Sequence, residues 1–366
     1  MKVLFIIHNV SFCGAERVLA LVANELVERG YDVYILTDPQ DISYPLNDKI
    51  HILDAYRYSK TYKTSSTLKK IIRIIKYNIG FSRTLRYFLK EVKPDCIVSF
   101  LGFFIWQLLP YRKRYKIIIS DHSAMSRALG KKRDYERHIL PEKFHYQTVL
   151  TSADKELLGS SRTNVVVMNN PLTFKPISIE EYIDNFDKRE HILFCGSVDR
   201  YEVKGLDNMI RAFAIVRATN KDVILDIAGR GSESKVNELK KLAKELGVFE
   251  YINFLGFQED VASLMKSHSL LVLSSRSEGF GMVIIEAMAC GCPVVSYALS
   301  GPCEIIENGV NGILVENQNI NKLAESVVSL YGNKERLREI GQNALQTVEK
   351  YSLKNIADQW EIILKN

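Results

Sequence analysis

The sequence predicts an α/β protein made of two Rossmann-like domains, each built on a doubly wound parallel sheet. Its 366 residues favour two domains over one. Short apolar segments alternate with helical segments along the chain, and this alternation is interrupted once, near Pro171. We therefore expect two sheets facing a central cleft, with ligands beyond the carboxyl ends of their strands.

The first domain is predicted over residues 1–172. An apolar strand at 2–7, an amphipathic helix at 15–29 ended by Gly30, and a second strand make a βαβ unit. Further strands are predicted at 95–100, 115–120, 146–150 and 164–168. After these strands, the polar stretch 173–190 is predicted to be a linker.

The second domain is predicted over residues 191–350, where the alternation resumes. Six apolar segments, each expected to form a strand, follow one another with helices between them: 192–197, 223–228, 252–255, 270–274, 294–297 and 313–315. Two final helices, over 334–350 and 353–364, could pack back toward the first domain. Residues 351–366 are accordingly assigned to a separate C-terminal helix.

Composition excludes few classes of protein. With 46% hydrophobic and 25% charged residues, the chain is neither disordered nor fibrous. No apolar run approaches the roughly 18 residues of a membrane span, and the first strand leads into a polar loop, so a cytoplasmic location is expected. The six cysteines form no CxxC pair and are interpreted as reduced and structural.

The most informative motif has two acids, Glu278 and Glu286, eight residues apart around Gly279 and Gly281. Glu278 follows a predicted strand, and Glu286 lies about one turn inside a helix that begins near Met282. Glycines let the backbone approach a ligand, and the free N–H groups of a helix N-terminus suit a diphosphate. A dehydrogenase would instead carry GxGxxG after its first strand, which neither half has.

These acids, together with IAGRGSE, NFLGF, CGCPVVS and NGILV, resemble the C-terminal half of retaining GT-B glycosyltransferases of family 4. FCGAE at 12–16 and NNP at 169–171 extend the resemblance over nearly the whole chain. The segment SGPCEII at 300–306 is similar to a subgroup that uses galactose-type or N-acetylhexosamine-type UDP-sugars in polysaccharide and glycan assembly. The resemblance implies a hexosyl- or N-acetylhexosaminyltransferase with a UDP-sugar donor and a saccharide or lipid-diphosphate-linked acceptor.

The resemblance also implies a donor site. Glu286 would bind the ribose hydroxyls, Glu278 the donor sugar, and the backbone of 280–283 the diphosphate or sugar. The full set of predicted donor-binding residues is Gly14, Gly196, Arg200, Lys204, Gly229, Phe257, Glu278, Phe280, Gly281, Met282, Val283 and Glu286. The predicted catalytic residues are His122, Glu278, Lys204 and Arg200.

Two departures from the family pattern concern the phosphate contacts. Cys13 replaces the first glycine of the N-terminal loop, and Ser197 stands where the family commonly has arginine. We expect Arg200 to reach the phosphate from the lengthened loop; the alternative is a solvated Arg200 that leaves Lys204 to neutralise most of the charge. These cations would stabilise negative charge developing on the leaving nucleoside diphosphate. Because the chain contains no Asp-x-Asp, we expect no metal and no other cofactor in this step.

His122 follows the strand at 115–120 and is therefore expected at the carboxyl edge of the first sheet. A lone histidine is more often a packing residue. Its position matches a histidine that the family has near the donor sugar, which favours a role in sugar positioning and transition-state stabilisation.

The first half of the chain is basic: residues 1–170 carry 27 Lys and Arg against 16 Asp and Glu. Residues 57–93 hold eleven of these cations and one acid, Glu91, interleaved with apolar side chains. This segment is either a surface for an anionic membrane, attaching the protein to the cytoplasmic face of the inner membrane, or a solvated helix face. Nucleic-acid binding is not expected, since no recognition motif accompanies the charge.

Two other functions stay open at this point. One is a sugar-nucleotide epimerase or hydrolase of the same architecture. The other is a noncatalytic, sugar-nucleotide-binding subunit of a glycan assembly complex, which the missing arginine at Ser197 permits.

Overall fold

The computed structural model describes residues 1–10, 14–57, 67–102, 104–159 and 161–366, with only the backbone for 67–76. These residues form two compact units. The first comprises Met1–Pro171 together with Leu353–Asn366, and the second comprises Leu172–Ser352.

The first unit contains a parallel sheet of seven strands in the order β3-β2-β1-β4-β5-β6-β7. The chain begins in the middle of this sheet and winds outward in both directions, which is the doubly wound arrangement. The strands are β1 (Lys2–Ile6), β2 (Asp32–Thr37), β3 (His51–Asp54), β4 (Cys96–Phe100), β5 (Lys116–Ser120), β6 (Tyr146–Val149) and β7 (Val165–Val167).

Helices connect these strands. They are α1 (Gly14–Glu28), α2 (Thr67–Val92), α3 (Ile105–Leu108), α4 (Lys131–His138) and α5 (Ser152–Leu158). Strand β4 is buried along its whole length and β1 nearly so, as expected for parallel strands covered on both faces.

The second unit contains a parallel sheet of six strands in the order β10-β9-β8-β11-β12-β13. Its strands are β8 (Glu190–Cys195), β9 (Leu225–Ala228), β10 (Ile252–Gly256), β11 (His268–Leu273), β12 (Val294–Tyr297) and β13 (Ile313–Val315). The order reverses between β8 and β11, so this sheet has its topological switch point there.

The helices of the second unit are α6 (Ile179–Asn185), α7 (Tyr201–Lys204), α8 (Leu206–Thr219), α9 (Glu233–Glu245), α10 (Val261–Ser267), α11 (Met282–Ala289), α12 (Ser300–Ile305), α13 (Ile320–Tyr331) and α14 (Lys334–Thr347). Helix α6 lies within the stretch 173–190 that the sequence analysis assigned to a linker. Its Tyr182 is fully buried in the core of the second unit and Phe186, directly after the helix, is buried beside it, so aromatic residues anchor a segment that is rich in polar residues.

The last helix, α15 (Leu353–Lys365), belongs to the first unit and packs against α1. The Arg29 guanidinium donates hydrogen bonds to Asp358 at 2.6 Å and to Glu361 at 2.8 Å. Trp360 is completely buried and stacks on Phe100 of β4. Helix α14, which the sequence also allowed on the first domain, belongs to the second unit and contacts α11 and α13.

None of the described helices is both long enough and apolar enough to cross a membrane.

Two isoleucines of α15 provide a test of its packing. Ile356 is fully buried, whereas Ile362 is 59% exposed. We expect Ile356→Ala to lower the free energy of unfolding by about 2–5 kcal/mol, because a buried cavity is created. Ile362→Ala should change it by less than about 0.5 kcal/mol. Urea unfolding followed by Trp fluorescence measures both; equal effects would contradict the packing of α15.

Candidate active site

The loops after β8, β9 and β10 pack closely at the carboxyl edge of the second sheet. The Gly196 N–H donates to the carbonyl of Ala228 at 2.9 Å, and the Gly229 N–H donates to that of Gly256 at 2.8 Å. Gly229 has a φ of +156°, and a Cβ added there would lie 1.8 Å from the Gly196 carbonyl oxygen. Only glycine at position 229 permits this backbone approach, so Gly229 shapes the edge of the site against the Gly196 carbonyl.

The turn from β11 into α11 brings an uncapped helix N-terminus to the same edge. Gly281 precedes α11 with a φ of +97°, and no side-chain hydrogen bond caps this helix. The Phe280 side chain is buried and packs edge-on against Tyr351 with ring centroids 5.5 Å apart, which fixes the turn from behind. Phe280 can therefore offer a ligand only its backbone, whereas Met282 and Val283 are half-buried. The leading amides of α11 are suited to an anion.

Glu278 is held by a lysine from another part of the domain. Lys204 Nζ lies 2.7 Å from Glu278 Oε2, and the Ser275 hydroxyl donates to the same oxygen at 3.2 Å. Both charged side chains are largely buried, with 21% and 15% of their surface exposed. A short charge-assisted bond of this kind orients both groups.

Glu286 is nearly buried in the second turn of α11. The Thr173 hydroxyl donates to Glu286 Oε1 at 2.7 Å. Burial raises the pKa of the Cys195 thiol to about 12, with a further rise from Glu286 and an opposing effect of Lys204. The charges of Glu286 and Lys204 are therefore both close enough to the end of β8 to affect the Cys195 thiol. With Glu278, which contacts Lys204, one lysine and two glutamates lie in this region.

Two of the predicted residues lie on the surface. Arg200 is exposed in a short 3-10 turn, Val198–Arg200, that precedes α7. Phe257 is 52% exposed, and the Arg230 guanidinium lies 5.2 Å from the centre of its ring. The sequence analysis did not single out Arg230, Thr173 or Ser275. Arg230 was detectable because it follows the close-approach glycine Gly229 at a strand end.

The remaining predicted residues belong to the first unit. Gly14 is the exposed first residue of α1. Cys13 and the rest of 11–13 lie outside the described residues, as do the side chains of 67–76 in the basic segment.

His122 lies two residues after the end of β5. Its ring stacks on Phe100 with centroids 4.6 Å apart, and its Nε2 is 3.0 Å from the Ser120 hydroxyl. The neighbouring Asp121 is clamped by the buried guanidinium of Arg137 at 2.7 Å. Burial lowers the pKa of His122 to about 4, against the opposing effects of Asp121 and Asn170. The imidazole is consequently neutral near pH 7 and can position a ligand without carrying charge.

The depressed pKa of His122 affects stability in acid. Between pH 6.5 and about 4 the unfolded chain takes up a proton at this residue and the folded chain does not, so stability falls as the pH falls. Above pH 6.5 the effect vanishes. We expect His122→Gln to lose less stability than the unmodified protein over this window. Urea unfolding at pH 7, 6, 5 and 4.5 measures it; parallel losses would show that His122 titrates normally.

Comparison with known families agrees with this architecture. Residues 12–170 match the model described as "Glycosyltransferase Family 4", and residues 178–347 match "Glycosyl transferases group 1". The two matches together span most of the chain. The protein is a glycosyltransferase of family 4, and its two domains have the GT-B fold.

Individual relatives extend over the full length. The chain is 29% identical to an uncharacterized glycosyltransferase of Haemophilus influenzae, with 99% of both chains covered. It is 27% identical to a Campylobacter jejuni α-1,4-N-acetyl-D-galactosaminyltransferase whose name specifies an undecaprenol diphosphate-linked acceptor, covering 98% of this chain and 97% of the relative. Anabaena HepE, solved with UDP-glucose, superposes with a TM-score of 0.75 at 19% identity, over 100% of this chain and 99% of HepE.

Proposed function

We propose that this glycosyltransferase moves a hexose or N-acetylhexosamine from a UDP-sugar to a growing polysaccharide or lipid-linked oligosaccharide, with retention of configuration. The observation that carries the proposal is the convergence of Glu278, Lys204 and Glu286 beside the uncapped start of α11. The acceptor class follows the named acceptor of the Campylobacter relative, and the UDP-sugar follows the ligand bound to HepE.

In this proposal each acid has a separate task. Glu286, held by Thr173, accepts hydrogen bonds from the ribose hydroxyls. Glu278, held by Lys204 and Ser275, contacts the donor sugar. The amides at the start of α11 receive the diphosphate, because the positive end of the helix dipole faces that position.

Lys204 supplies the charge that the reaction needs. Cleavage of the bond between the anomeric carbon and the phosphate leaves a nucleoside diphosphate with growing negative charge, and a preorganised cation stabilises it. Arg200 and Arg230 are exposed at the same edge and add positive potential.

No Asp-x-Asp is present to hold a metal for this step, so we propose that it needs none. Turnover should then be the same with and without added Mg²⁺ or Mn²⁺.

A lysine substitution tests the charge. Lys204→Ala should lower kcat by roughly 10²–10³-fold, since one preorganised donor contributes about 3–4 kcal/mol to the transition state. The matched control is Lys235→Ala in the same domain, where Lys235 pairs with Glu202 and Glu238 on the surface. Its activity should be unchanged. Circular dichroism confirms folding of both; an unchanged kcat in Lys204→Ala would contradict the role assigned to Lys204.

Donor binding tests the nucleotide site apart from catalysis. UDP and UDP-sugars at 100 times their Kd should stabilise the folded protein by about 2.7 kcal/mol, because only the folded state binds them. Thermal shifts with UDP-glucose, UDP-galactose, their N-acetyl forms and GDP-mannose identify the preferred donor. Glu286→Gln should weaken the shift. UDP release that needs no acceptor would favour an epimerase or hydrolase.

We further propose that the first domain attaches to an anionic membrane on the cytoplasmic face. On α2, Arg83 and Arg86 are exposed and Ile79 is 50% exposed. Trp106 of α3, 44% exposed, adds an aromatic residue of the type that lies at membrane interfaces. This combination of cations and apolar side chains suits acidic lipid headgroups.

Vesicle co-sedimentation tests the attachment. The Arg83→Glu, Arg86→Glu double variant should bind vesicles of anionic lipid several-fold more weakly than the unmodified protein. The matched control is the Lys241→Glu, Lys244→Glu double variant, which reverses the charge of two exposed cations of α9. It should bind the vesicles as the unmodified protein does. Equal binding to neutral and anionic vesicles would refute the proposal.

A further inference from the structure

A second polar cluster lies at the amino edge of the second sheet, away from the site described above. It consists of His191 near the start of β8, Asp226 near the start of β9 and His268 at the start of β11. Strands of four to six residues, at about 3.3 Å each, separate this edge from the carboxyl edge. The glycosyltransferase reaction therefore leaves the cluster unexplained.

Two imidazoles converge on one carboxylate oxygen. His191 Nδ1 lies 3.0 Å from Asp226 Oδ2, and His268 Nε2 lies 2.9 Å from the same oxygen. The candidate ligand atoms of the three side chains all lie within 4.8 Å of one another. In a tetrahedral site with bonds of about 2.0–2.1 Å, neighbouring ligand atoms are about 3.3 Å apart, so each nitrogen–oxygen distance would lengthen by about 0.3–0.4 Å to admit an ion. The two nitrogens, which lie within 4.8 Å of each other, would move to the same spacing.

The hydrogen bond on the other side of His268 fixes the orientation of its ring. His268 Nδ1 lies 2.6 Å from the carbonyl oxygen of Leu264, which can only accept, so Nδ1 carries a hydrogen. Its Nε2 lone pair would then face a carboxylate oxygen unless a cation, either a proton or a metal ion, lies between them. A metal-bound histidine usually donates its other N–H to a carbonyl in this way.

Asp226 has the same kind of outer support. The Asn253 amide of β10 donates to Asp226 Oδ1 at 2.7 Å and leaves Oδ2 to the two histidines. Both Asp226 and His268 are buried, while 30% of the His191 side chain is exposed. The arrangement offers three ligands, two of them supported from behind, and an approach from solvent beside the third.

The backbone at His191 is unusual. This residue has a φ of +48°, which is rare for a residue with a Cβ, although it lies within β8. Strained backbone tends to occur where a side chain has a specific task. Here the conformation accompanies the contact between His191 Nδ1 and Asp226.

We propose that His191, Asp226 and His268 bind a divalent transition-metal ion of the Zn²⁺ type, with water as the fourth ligand. Two imidazoles and one carboxylate form a ligand set suited to such an ion. The ion takes the place of the two protons that otherwise separate the nitrogens from Asp226 Oδ2. It links three neighbouring strands, with Asn253 adding the fourth, and so acts as a structural crosslink of the second domain. The proposal does not depend on the donor or the acceptor.

Metal content tests the site directly. The full chain, made without a polyhistidine tag and stripped by a chelator, is dialysed against Zn²⁺, and bound zinc is measured by elemental analysis. We expect one ion per chain. His191→Ala should bind Zn²⁺ at least about tenfold more weakly, because loss of even a supporting group costs roughly 10–100-fold. His191 is partly exposed, so this variant should retain its fold, which circular dichroism checks.

The matched control is His51→Ala, which removes a histidine whose Nε2 lies 3.3 Å from Asp32 on the first domain. It should bind Zn²⁺ as the unmodified protein does.

Co²⁺ provides a second measurement. The visible absorption of tetrahedral Co²⁺ should appear in the unmodified protein and in His51→Ala but not in His191→Ala. Less than one ion per chain, or equal binding by His191→Ala, would overturn the proposal and leave a metal-free hydrogen-bonded cluster. The UDP-sugar thermal shift should be the same in His191→Ala, which separates this test from that of the donor site.

Discussion

The close approach of backbone at the carboxyl edge of the second sheet is the constraint on which the site depends. Gly229 passes so near the Gly196 carbonyl that no side chain fits between them. This approach holds the loops after β8 and β9 together. Lys204, at the end of α7, contacts Glu278 in the loop after β11. A larger residue at Gly229 would clash with the Gly196 carbonyl and push the two loops apart.

The charged groups at this edge have different kinds of partner. Glu278 is paired with a lysine, Glu286 accepts a hydrogen bond from the neutral Thr173 hydroxyl, and the helix start contributes uncapped amides. A buried carboxylate is costly unless it is bonded, so each acid depends on a specific partner. His122 of the first unit needs no charged partner, because its burial against Phe100 lowers its pKa and keeps the imidazole neutral near pH 7.

Strong local patterns made most of the fold predictable. Apolar runs located β1, β4, β5 and the strands of the second sheet, and the spacing around Gly281 located the start of α11. The weak elements were missed. Strand β3 is short, and the two residues at its ends are exposed, so it lacks a buried apolar run. Helix α6 was taken for a linker because its composition is polar, although Tyr182 anchors it in the core.

The sequence by itself determined the twin α/β architecture, the family and the acids around the glycine turn, because these depend on local periodicity and on residues close together in the chain. Tertiary structure decided which charges meet. Lys204 and Glu278 are 74 residues apart, Thr173 and Glu286 are 113 apart, and Asp226 lies 35 and 42 residues from its two histidines. Such contacts arise when parallel strands bring their equivalent ends to one edge of a sheet. No local pattern in the chain specifies which loop side chains will then touch.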